Sequence, residues 1–123
     1  MPLSIKSHVE DSIAILELAG QLTVGPALSG LREDARKVLG SAKLSGLILQ
    51  VSQVTQADSA GLGELTLVYT MASRRGCPIR LVEASPHLRK MLEVTHLDGL
   101  LPSASDLDTA KEDIKQAVSQ ARG

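Results

Sequence analysis

The segment GLILQVSQVTQADSAGLGEL, residues 46–65, carries the main fold signal of this 123-residue chain. Its first six residues are almost entirely aliphatic, which is typical of a β-strand that is covered on both faces. A polar stretch then leads to Asp58 and Ser59, two residue types that often cap helices, and leucines recur at helical spacing beyond them. We therefore predict a strand over 46–51, a polar connection, and a helix that begins at Asp58 or Ser59.

This helix is followed by another buried strand. Arg74 and Arg75 form a basic last turn, and Gly76 supplies a C-terminal stop. The segment PIRLV at 78–82 predicts a short strand. A strand, a helix and a second strand in this order imply a right-handed crossover between parallel neighbours, so the segment predicts α/β architecture. The inward-facing positions expected of the helix are Leu62, Leu65, Tyr69 and Ala72.

The first forty residues predict two more strands and one helix. Apolar residues alternate near the N-terminus and recur over 13–18, which indicates adjacent strands joined by a turn at 10–11, with Gly20 ending the second strand. A helix is predicted from Pro26 to Gly40, because proline suits a first helical position and glycine suits a C-terminal stop. Its inward-facing positions are Leu28, Leu31, Ala35, Val38 and Leu39.

Two further helices complete the predicted domain. One begins at Ser85 and Pro86, and the other, after Pro102, is capped by Ser105 and the neighbouring aspartates. Because no repeat or linker interrupts the chain, we expect residues 1–123 to form one α/β domain, with a mixed sheet of four or five strands packed by about four helices. The last few residues are expected to fray. The inward-facing positions of these helices are Leu88, Met91, Leu92, Leu107, Ala110, Ile114, Ala117, Val118 and Ala121.

Composition argues against several classes of partner. The net charge of −1 provides no positive field for nucleic acid, and Tyr69, the only aromatic residue, leaves no stacking platform for bases. Cys77 is the only cysteine, so we expect a small, half-buried residue rather than a disulfide or zinc ligand. No apolar run approaches the roughly 18–20 residues that span a bilayer, and no signal peptide is indicated. We expect a cytoplasmic protein without membrane insertion.

The Asp58–Ser59 pair does not match the common catalytic motifs. A hydrolase elbow, GxSxG, requires glycine where Ala57 stands, and nothing in the sequence brings a histidine to Ser59. A phosphate-binding loop requires a lysine where Glu64 stands, and a GxGxxG motif would lack its third glycine. Asp58 and Glu64 have no cluster of metal ligands around them. We therefore expect no enzyme, cofactor or metal. The three histidines are His8, His87 and His96.

Gly61 and Gly63 need an explanation of their own. A helix cap accounts for Asp58 or Ser59, but each glycine inside a helix costs about 0.5–1 kcal/mol relative to alanine. A helix that only had to be stable would not carry them. Their presence indicates a surface that another molecule, or a phosphate group, approaches closely.

The chain closely resembles the STAS domain of bacterial anti-sigma-factor antagonists. The resemblance rests on the buried strand, on the Asp-Ser-x-Gly-Leu motif at 58–62, and on Gly76 before the next strand. Residues 18–39 resemble the earlier loop and helix of the family, so the match covers almost the whole chain. It continues through a leucine-glutamate-x-threonine stretch and a leucine-aspartate step, which are formed by Leu92, Glu93, Thr95, Leu97 and Asp98.

The resemblance implies a regulatory switch rather than an enzyme. Family members bind an anti-sigma factor, often also a serine kinase, and thereby release a sigma factor. The kinase phosphorylates the serine of the Asp-Ser pair, and a phosphatase restores binding; Ser59 is the residue at that position. The partner-binding residues that the resemblance implies are Thr23, Asp58, Ser59, Ala60, Gly61 and Gly63.

A phosphate at Ser59 is physically suited to this switching. It would add about −1.5 to −2 charge beside the Asp58 carboxylate, and the N–H groups of the first helical turn could accommodate it. A partner docked over the glycines would meet added bulk and like charge. A tenfold change in affinity requires only about 1.4 kcal/mol. We expect unmodified Ser59 to permit binding and phosphorylated Ser59 to block it.

Three positions depart from the family pattern. Thr23 stands where many relatives carry an acidic residue, Gln50 where the strand often ends with aspartate, and Gln56 where a bulky apolar residue usually precedes the Asp-Ser pair. These departures bear on kinase recognition rather than on the fold. Thr55 is a second candidate phosphate acceptor, although a β-forming residue at a strand end is the preferred interpretation.

Two alternatives to the phosphorylated antagonist stay open. One is a STAS interaction module without phosphorylation, which would serve as a scaffold or as an accessory subunit of a transport or signalling assembly. The other is a weak nucleotide-binding or hydrolytic role centred on Ser59.

Overall fold

The computed structural model describes residues 2–41 and 43–122, with the side chains of residues 121 and 122 outside the description. The expected core position at Ala121 therefore lies outside the described side chains. Within the described residues the elements follow in the order β1 (Ser4–Glu10), β2 (Ile13–Leu22), α1 (Ser29–Ser41), β3 (Gly46–Ala57), α2 (Ser59–Arg74), β4 (Ile79–Val82), α3 (Pro86–Val94), β5 (Ser103–Ala104) and α4 (Leu107–Arg122).

The strands form one five-stranded mixed sheet in the sequential order β1-β2-β3-β4-β5. The first pair is antiparallel and the other pairs are parallel. Helices α1, α2 and α3 connect successive parallel strands. The predicted fold class, a single α/β domain with a mixed sheet and four helices, is confirmed.

Alternate residues of the central strands face two separate cores. In β2, Leu16 and Leu18 belong to the larger core, which also contains buried residues of α1, α2 and α3. Ile13 and Ile15 face the other side of the sheet, where they pack in a smaller core with Ile114 of α4. The prediction that the 46–51 segment is covered on both faces is confirmed. Its fully buried aliphatic residues are Leu47, Ile48, Leu49 and Val51.

The last two helices begin close to the predicted residues. Ser85 caps α3, because its Oγ accepts a hydrogen bond of 3.1 Å from the N–H of Leu88. At α4 the acceptor is Asp106, one of the aspartates predicted to cap the helix together with Ser105, and its Oδ1 lies 2.7 Å from the N–H of Thr109. Among the described helices, none combines the length and the hydropathy that a membrane-spanning segment needs. The expected core positions found buried in these two helices are Leu88, Leu92, Ala110 and Ile114.

Two predicted boundaries near the N-terminus are wrong. Strand β2 does not end at Gly20 but continues to Leu22. Gly20 has a φ of +99°, and the register with β3 shifts next to it, so the glycine forms an irregularity within the strand and not its end. Helix α1 begins at Ser29 rather than at Pro26, and it includes Gly40. Residues 26–28 form a turn ahead of the helix.

The polar connection predicted after residue 51 is in fact the second half of β3. This half pairs with β2 as far as Leu22 and Ala57, whereas β4 pairs only with Leu47 to Gln50. The exposed polar side chains of 52–57 hid the strand, since they lack the aliphatic run of a covered segment. Strand β5 was not located from the sequence, because a two-residue strand has no periodic pattern.

A two-residue turn joins β1 to β2, one position later than predicted. Glu10 pairs with Ile13, and both Asp11 and Ser12 have positive φ values, +54° and +63°. Turns of this type match the twist of paired strands, but the left-handed conformation is unfavourable for residues that carry a Cβ. Glycine at the second position would relieve that cost.

We predict that Ser12→Gly raises the free energy of unfolding by up to about 1 kcal/mol in urea titrations. The contacts that Ser12 makes to Ser45 use only its carbonyl oxygen, so they persist in the variant. Ser7→Gly in β1 is the matched control. It should lower stability, because glycine raises the entropy of the unfolded chain and relieves no positive φ at this position. A Ser12→Gly protein no more stable than wild type would contradict the strained-turn interpretation.

Candidate functional site at the start of the second helix

The candidate site lies where β2 and β3 end at the same edge of the sheet. Leu22 and Ala57 are paired at the last position of the two strands. The loop 23–28 leaves one strand and α2 leaves the other, so both start side by side. The N–H of Asp58 donates to the carbonyl oxygen of Leu22 at 3.2 Å, which extends the strand contact to the first residue of the site.

Asp58 ties these two segments together with a single carboxylate. Its Oδ1 accepts a hydrogen bond of 2.9 Å from the N–H of Gly61 and so caps α2. Its Oδ2 accepts a hydrogen bond of 3.0 Å from the N–H of Val24 in the loop. The hydrogen bonds from Val24 and Gly61 hold the pKa of the Asp58 carboxyl below its usual value. The side chain is therefore an ionised structural clamp.

Ser59 is the first residue of α2 and is exposed. Since Asp58 performs the capping, the Ser59 hydroxyl is not needed for that purpose. Next to it, Ala60 and Thr23 are half-buried, and Gly63 is exposed. An outside molecule can therefore reach Ser59, Gly63 and the adjoining parts of the turn.

The surroundings of Gly61 show that one inference from the sequence is wrong, namely that this glycine is needed for close approach of another molecule. Gly61 is buried, and a Cβ at this position would overlap the carbonyl oxygen of Leu22 and lie 2.9 Å from Leu22 Cγ. Glycine is required here because α2 packs directly on the end of β2, not because another molecule approaches. The partner-binding role expected of Gly61 can only be indirect.

Gly63 differs from Gly61 in its surroundings. A Cβ at Gly63 would meet nothing within 4 Å, so internal packing does not require glycine there. The helix carries this glycine at a cost in stability. Close approach of another molecule therefore explains the presence of glycine at position 63 but not at position 61.

Glu64 occupies the place where a phosphate-binding loop would carry a cation, and it is largely buried at 9% exposure. It forms an ion pair with Arg32 of α1, in which the arginine Nη2 contacts Oε1 and Nε lies 3.4 Å from Oε2. The hydrogen bond to Glu64 raises the pKa of Arg32. This pair joins α1 to α2, and the sequence analysis missed it because the partners are 32 residues apart.

Val24 is a second feature of the site that the sequence analysis missed. Its side chain is 76% exposed, although its N–H is fixed by Asp58. Thr23 and Val24 belong to the lining of a surface cavity of about 320 Å³. An exposed valine whose N–H is hydrogen-bonded offers apolar surface that another protein could bury. No sequence signal identifies it, because the contact uses only its backbone.

Gln50, Gln56 and His87, which the sequence analysis also singled out, do not contact Ser59 through hydrogen bonds among the described residues. Gln50 is well inside β3, where its Oε1 accepts from the N–H of Ser52 at 2.9 Å and its Nε2 donates to Glu83 at 3.3 Å. Gln56 is exposed near the end of β3. His87 lines a hollow of about 260 Å³ beside Gln56, but no hydrogen bond joins a histidine to Ser59 within the described residues.

In the part of the chain that the structure describes, Cys77 and the acidic residues form no metal centre. Cys77 is 5% exposed, and burial raises the pKa of its thiol, so it is a core residue, more buried than expected. Over residues 2–41 and 43–122, no group of three or more histidine, cysteine, aspartate or glutamate side chains could hold a metal ion.

The class of protein follows from this fold together with a family match. The family model described as "Mlab, STAS domain" matches residues 7–102. The chain therefore belongs to the STAS domain family, and the predicted family is confirmed.

Several solved structures share the fold at low sequence identity. An anti-sigma factor antagonist from Mycobacterium paratuberculosis is 19% identical, with a TM-score of 0.74 over 92% of this chain and 94% of the other. A sulfate transporter family protein from Wolinella succinogenes is 20% identical, with a TM-score of 0.71 over 91% and 92%. The Bacillus cell fate determinant SpoIIAA in its phosphorylated form is 17% identical, with a TM-score of 0.64 over 98% and 99%. At these identities the likeness concerns the fold alone.

The two glycines of α2 predict opposite effects on stability. Gly61→Ala should lower the free energy of unfolding by about 1–3 kcal/mol or more, because the added Cβ cannot be accommodated against Leu22. Gly63→Ala should raise it by about 0.5–1 kcal/mol, because alanine favours the helix and meets open space. Urea unfolding of both variants provides the test, with each as the control of the other. Equal effects at the two positions would contradict the packing described here.

The Asp58 clamp predicts a specific dependence of stability on pH. Because its folded pKa lies below its unfolded value, Asp58 contributes stability that is fully present above the ordinary aspartate pKa of about 4 and is lost as the pH falls through the folded pKa. Asp58→Asn should therefore unfold at lower urea concentration than wild type at pH 7. The difference between the two proteins should shrink in acid. A difference that stays constant down to the lowest pH would refute the ionised clamp.

Proposed function

We propose that this protein is an anti-sigma-factor antagonist, a regulatory module that binds an anti-sigma factor or serine kinase and is switched off by phosphorylation of Ser59. A phosphatase would restore the binding form. The observation that carries the proposal is the exposed Ser59 hydroxyl beside a turn that Asp58 holds rigid. The proposed setting is the cytoplasm, and no nucleic-acid partner is proposed for a chain of net charge −1.

The proposed docking surface consists of Thr23, Val24, Ser59, Ala60 and Gly63. Val24 supplies an exposed apolar contact, and Gly63 allows the partner to approach the helix closely. A surface that is already ordered before binding avoids part of the entropy cost of association. Gly61 is buried and supports this surface from below, and the half-buried Asp58 orders it through hydrogen bonds to Gly61 and Val24.

Phosphorylation at this position would change the charge of the docking surface without unfolding the domain. The carboxylate of Asp58 is already ionised, so the phosphate would stand next to a like charge. A partner that covers the surface would have to remove both charges from water. The support from similar folds is the set of anti-sigma factor antagonist structures, which includes SpoIIAA, whose phosphorylated form is also a fold match.

The proposed function is regulatory rather than catalytic. A hydrolytic role for Ser59 would require a base, and both oxygens of the neighbouring Asp58 are engaged by backbone N–H groups. A nucleotide site would require a cation, and the candidate position carries Glu64.

A second candidate is a STAS subunit of a transport assembly, without phosphorylation. The observation that favours it is the fold likeness to a sulfate transporter family protein. In that case the same surface would bind a fixed partner, and Ser59 would serve only as a contact residue.

The proposed switch predicts that Ser59→Asp weakens binding to the cognate anti-sigma factor at least tenfold, whereas Ser59→Ala retains it. The aspartate adds charge within the docking surface, and a factor of ten corresponds to about 1.4 kcal/mol. Calorimetric titration against the anti-sigma factors of the same organism measures the affinities. Ser119→Asp, an exposed serine of α4 on the other face of the sheet, is the matched control and should bind as wild type does.

A kinase assay separates the two candidates. After incubation with ATP and the partner kinases, mass spectrometry should locate the phosphate at Ser59 and find none in Ser59→Ala. Two results together would rule out the switch and favour the transport subunit. These are that the wild-type protein is not phosphorylated, and that the Ser59→Asp variant binds the partner as tightly as wild type does.

A further inference from the structure

A second distinct surface lies between α1 and α2, at the ends of these helices remote from Ser59. It is a hollow of about 440 Å³, here called the arginine hollow, which is lined by Arg36, Leu39, Met71, Arg74 and Arg75. Helix α2 runs for 16 residues from Ser59 to Arg74, and at 1.5 Å per residue its two ends are about 22 Å apart. A molecule in the hollow therefore does not need to touch the serine.

The floor of the arginine hollow is apolar. Leu39 is buried and Met71 is half-buried. Leu67, one helical turn before Met71 on the same face of α2, is 43% exposed. Methionine adapts its shape to different contacts, which makes such a floor suitable for an apolar side chain of another molecule.

The rim of the arginine hollow is positively charged. Arg36, Arg74 and Arg75 are all exposed, and none of the described residues that line the hollow is acidic. Arg36 is partly neutralised by Glu33, whose Oε1 lies 2.9 Å from its Nη1. Arg75 has a structural role, because its Nη1 donates to the carbonyl oxygen of Leu39 at 3.1 Å.

A preference of basic residues for helix C-termini explains only part of this arrangement. That preference accounts for the sign of the charge at the ends of α1 and α2. It does not account for the exposed guanidinium groups of Arg36 on α1 and Arg74 on α2 around one concave, apolar-floored space. Like charges gathered in this way favour an anionic occupant, and arginine binds carboxylates through paired hydrogen bonds.

We propose that the arginine hollow is a second docking site, which binds an acidic amphipathic helix of a partner protein. Carboxylates of that helix pair with Arg36 and Arg74, and one of its apolar side chains rests on Met71. The concave floor favours an inserted side chain over a flat lipid surface. The proposal does not depend on phosphorylation of Ser59, because the serine and the hollow lie at opposite ends of α2.

The test is an NMR titration of the full chain with a synthetic amphipathic helical peptide built from glutamate, leucine and alanine. The expected result is a shift of the Met71 methyl signal together with the amides at the ends of α1 and α2. Raising the salt concentration should weaken the binding, because the charges are exposed. The same peptide with glutamine in place of glutamate should bind at least tenfold more weakly.

Charge reversal at the rim provides the matched comparison. Arg36→Glu combined with Arg74→Glu should weaken peptide binding at least tenfold, while Arg75 is left unchanged because it caps α1. Lys90→Glu combined with Lys115→Glu changes the net charge equally at exposed positions of α3 and α4, and should retain binding. Ser59→Asp should also retain it. Circular dichroism establishes that each variant is folded.

Several outcomes would overturn the proposal. These are an unshifted Met71 methyl signal, equal binding of the glutamine peptide, an equal loss in the Lys90 and Lys115 variant, or a loss of peptide binding in Ser59→Asp. The protein could also fail to bind the peptide but sediment with phosphatidylglycerol vesicles. If charge reversal at Arg36 and Arg74 abolished that sedimentation, the hollow would be assigned to a membrane surface instead. Displacement of the peptide by millimolar inorganic phosphate would assign it to a small anion.

Discussion

The carboxylate of Asp58 is the contact on which the candidate site depends. One of its oxygens holds the N–H of Gly61 at the start of α2, and the other holds the N–H of Val24 in the loop after β2. Two segments that are more than thirty residues apart in sequence are thereby fixed against each other at one edge of the sheet. The clamp works because the paired ends of β2 and β3 bring Leu22 next to Ala57. It also frees Ser59 from capping, so the serine hydroxyl is presented to other molecules on a rigid support.

Much of this architecture could be predicted from the sequence, because it rests on local patterns. The aliphatic run at 46–51, the helical spacing of leucines after it, and the turn residues around them indicate the main strand and helices. The polar half of β3 and the two-residue β5 could not be recognised, since their pairing depends on neighbours that are distant in sequence. The exposure of Ser59 agrees with the expectation that other proteins can reach it.

The parts of the site that sequence reasoning missed are all long-range contacts. Gly61 looked like Gly63 in the sequence, and only the carbonyl oxygen of Leu22 beneath it shows that one is required by packing and the other is not. The ion pair between Arg32 and Glu64 and the backbone contact of Val24 have no local pattern. The distinction changes the functional interpretation, because it separates the residues that build the docking surface from those that can touch a partner.

The two proposed docking sites lie at opposite ends of α2, and these ends differ in chemistry. The N-terminal end presents an exposed serine, a glycine and a valine on a clamped turn, whereas the C-terminal end presents arginines around an apolar floor. Under the two proposals, negative charge added to Ser59 would oppose docking at the N-terminal end of α2. Negative charge on a partner would favour docking at the C-terminal end.

The most direct test of the Asp58 clamp is an NMR titration that follows its carboxyl carbon together with the amide signals of Val24 and Gly61. The account predicts that Asp58 titrates below the ordinary aspartate value of about 4, and that both amide signals move with the same midpoint. An Asp58 carboxyl that titrates at the ordinary value, while the amide of Val24 does not respond, would contradict it.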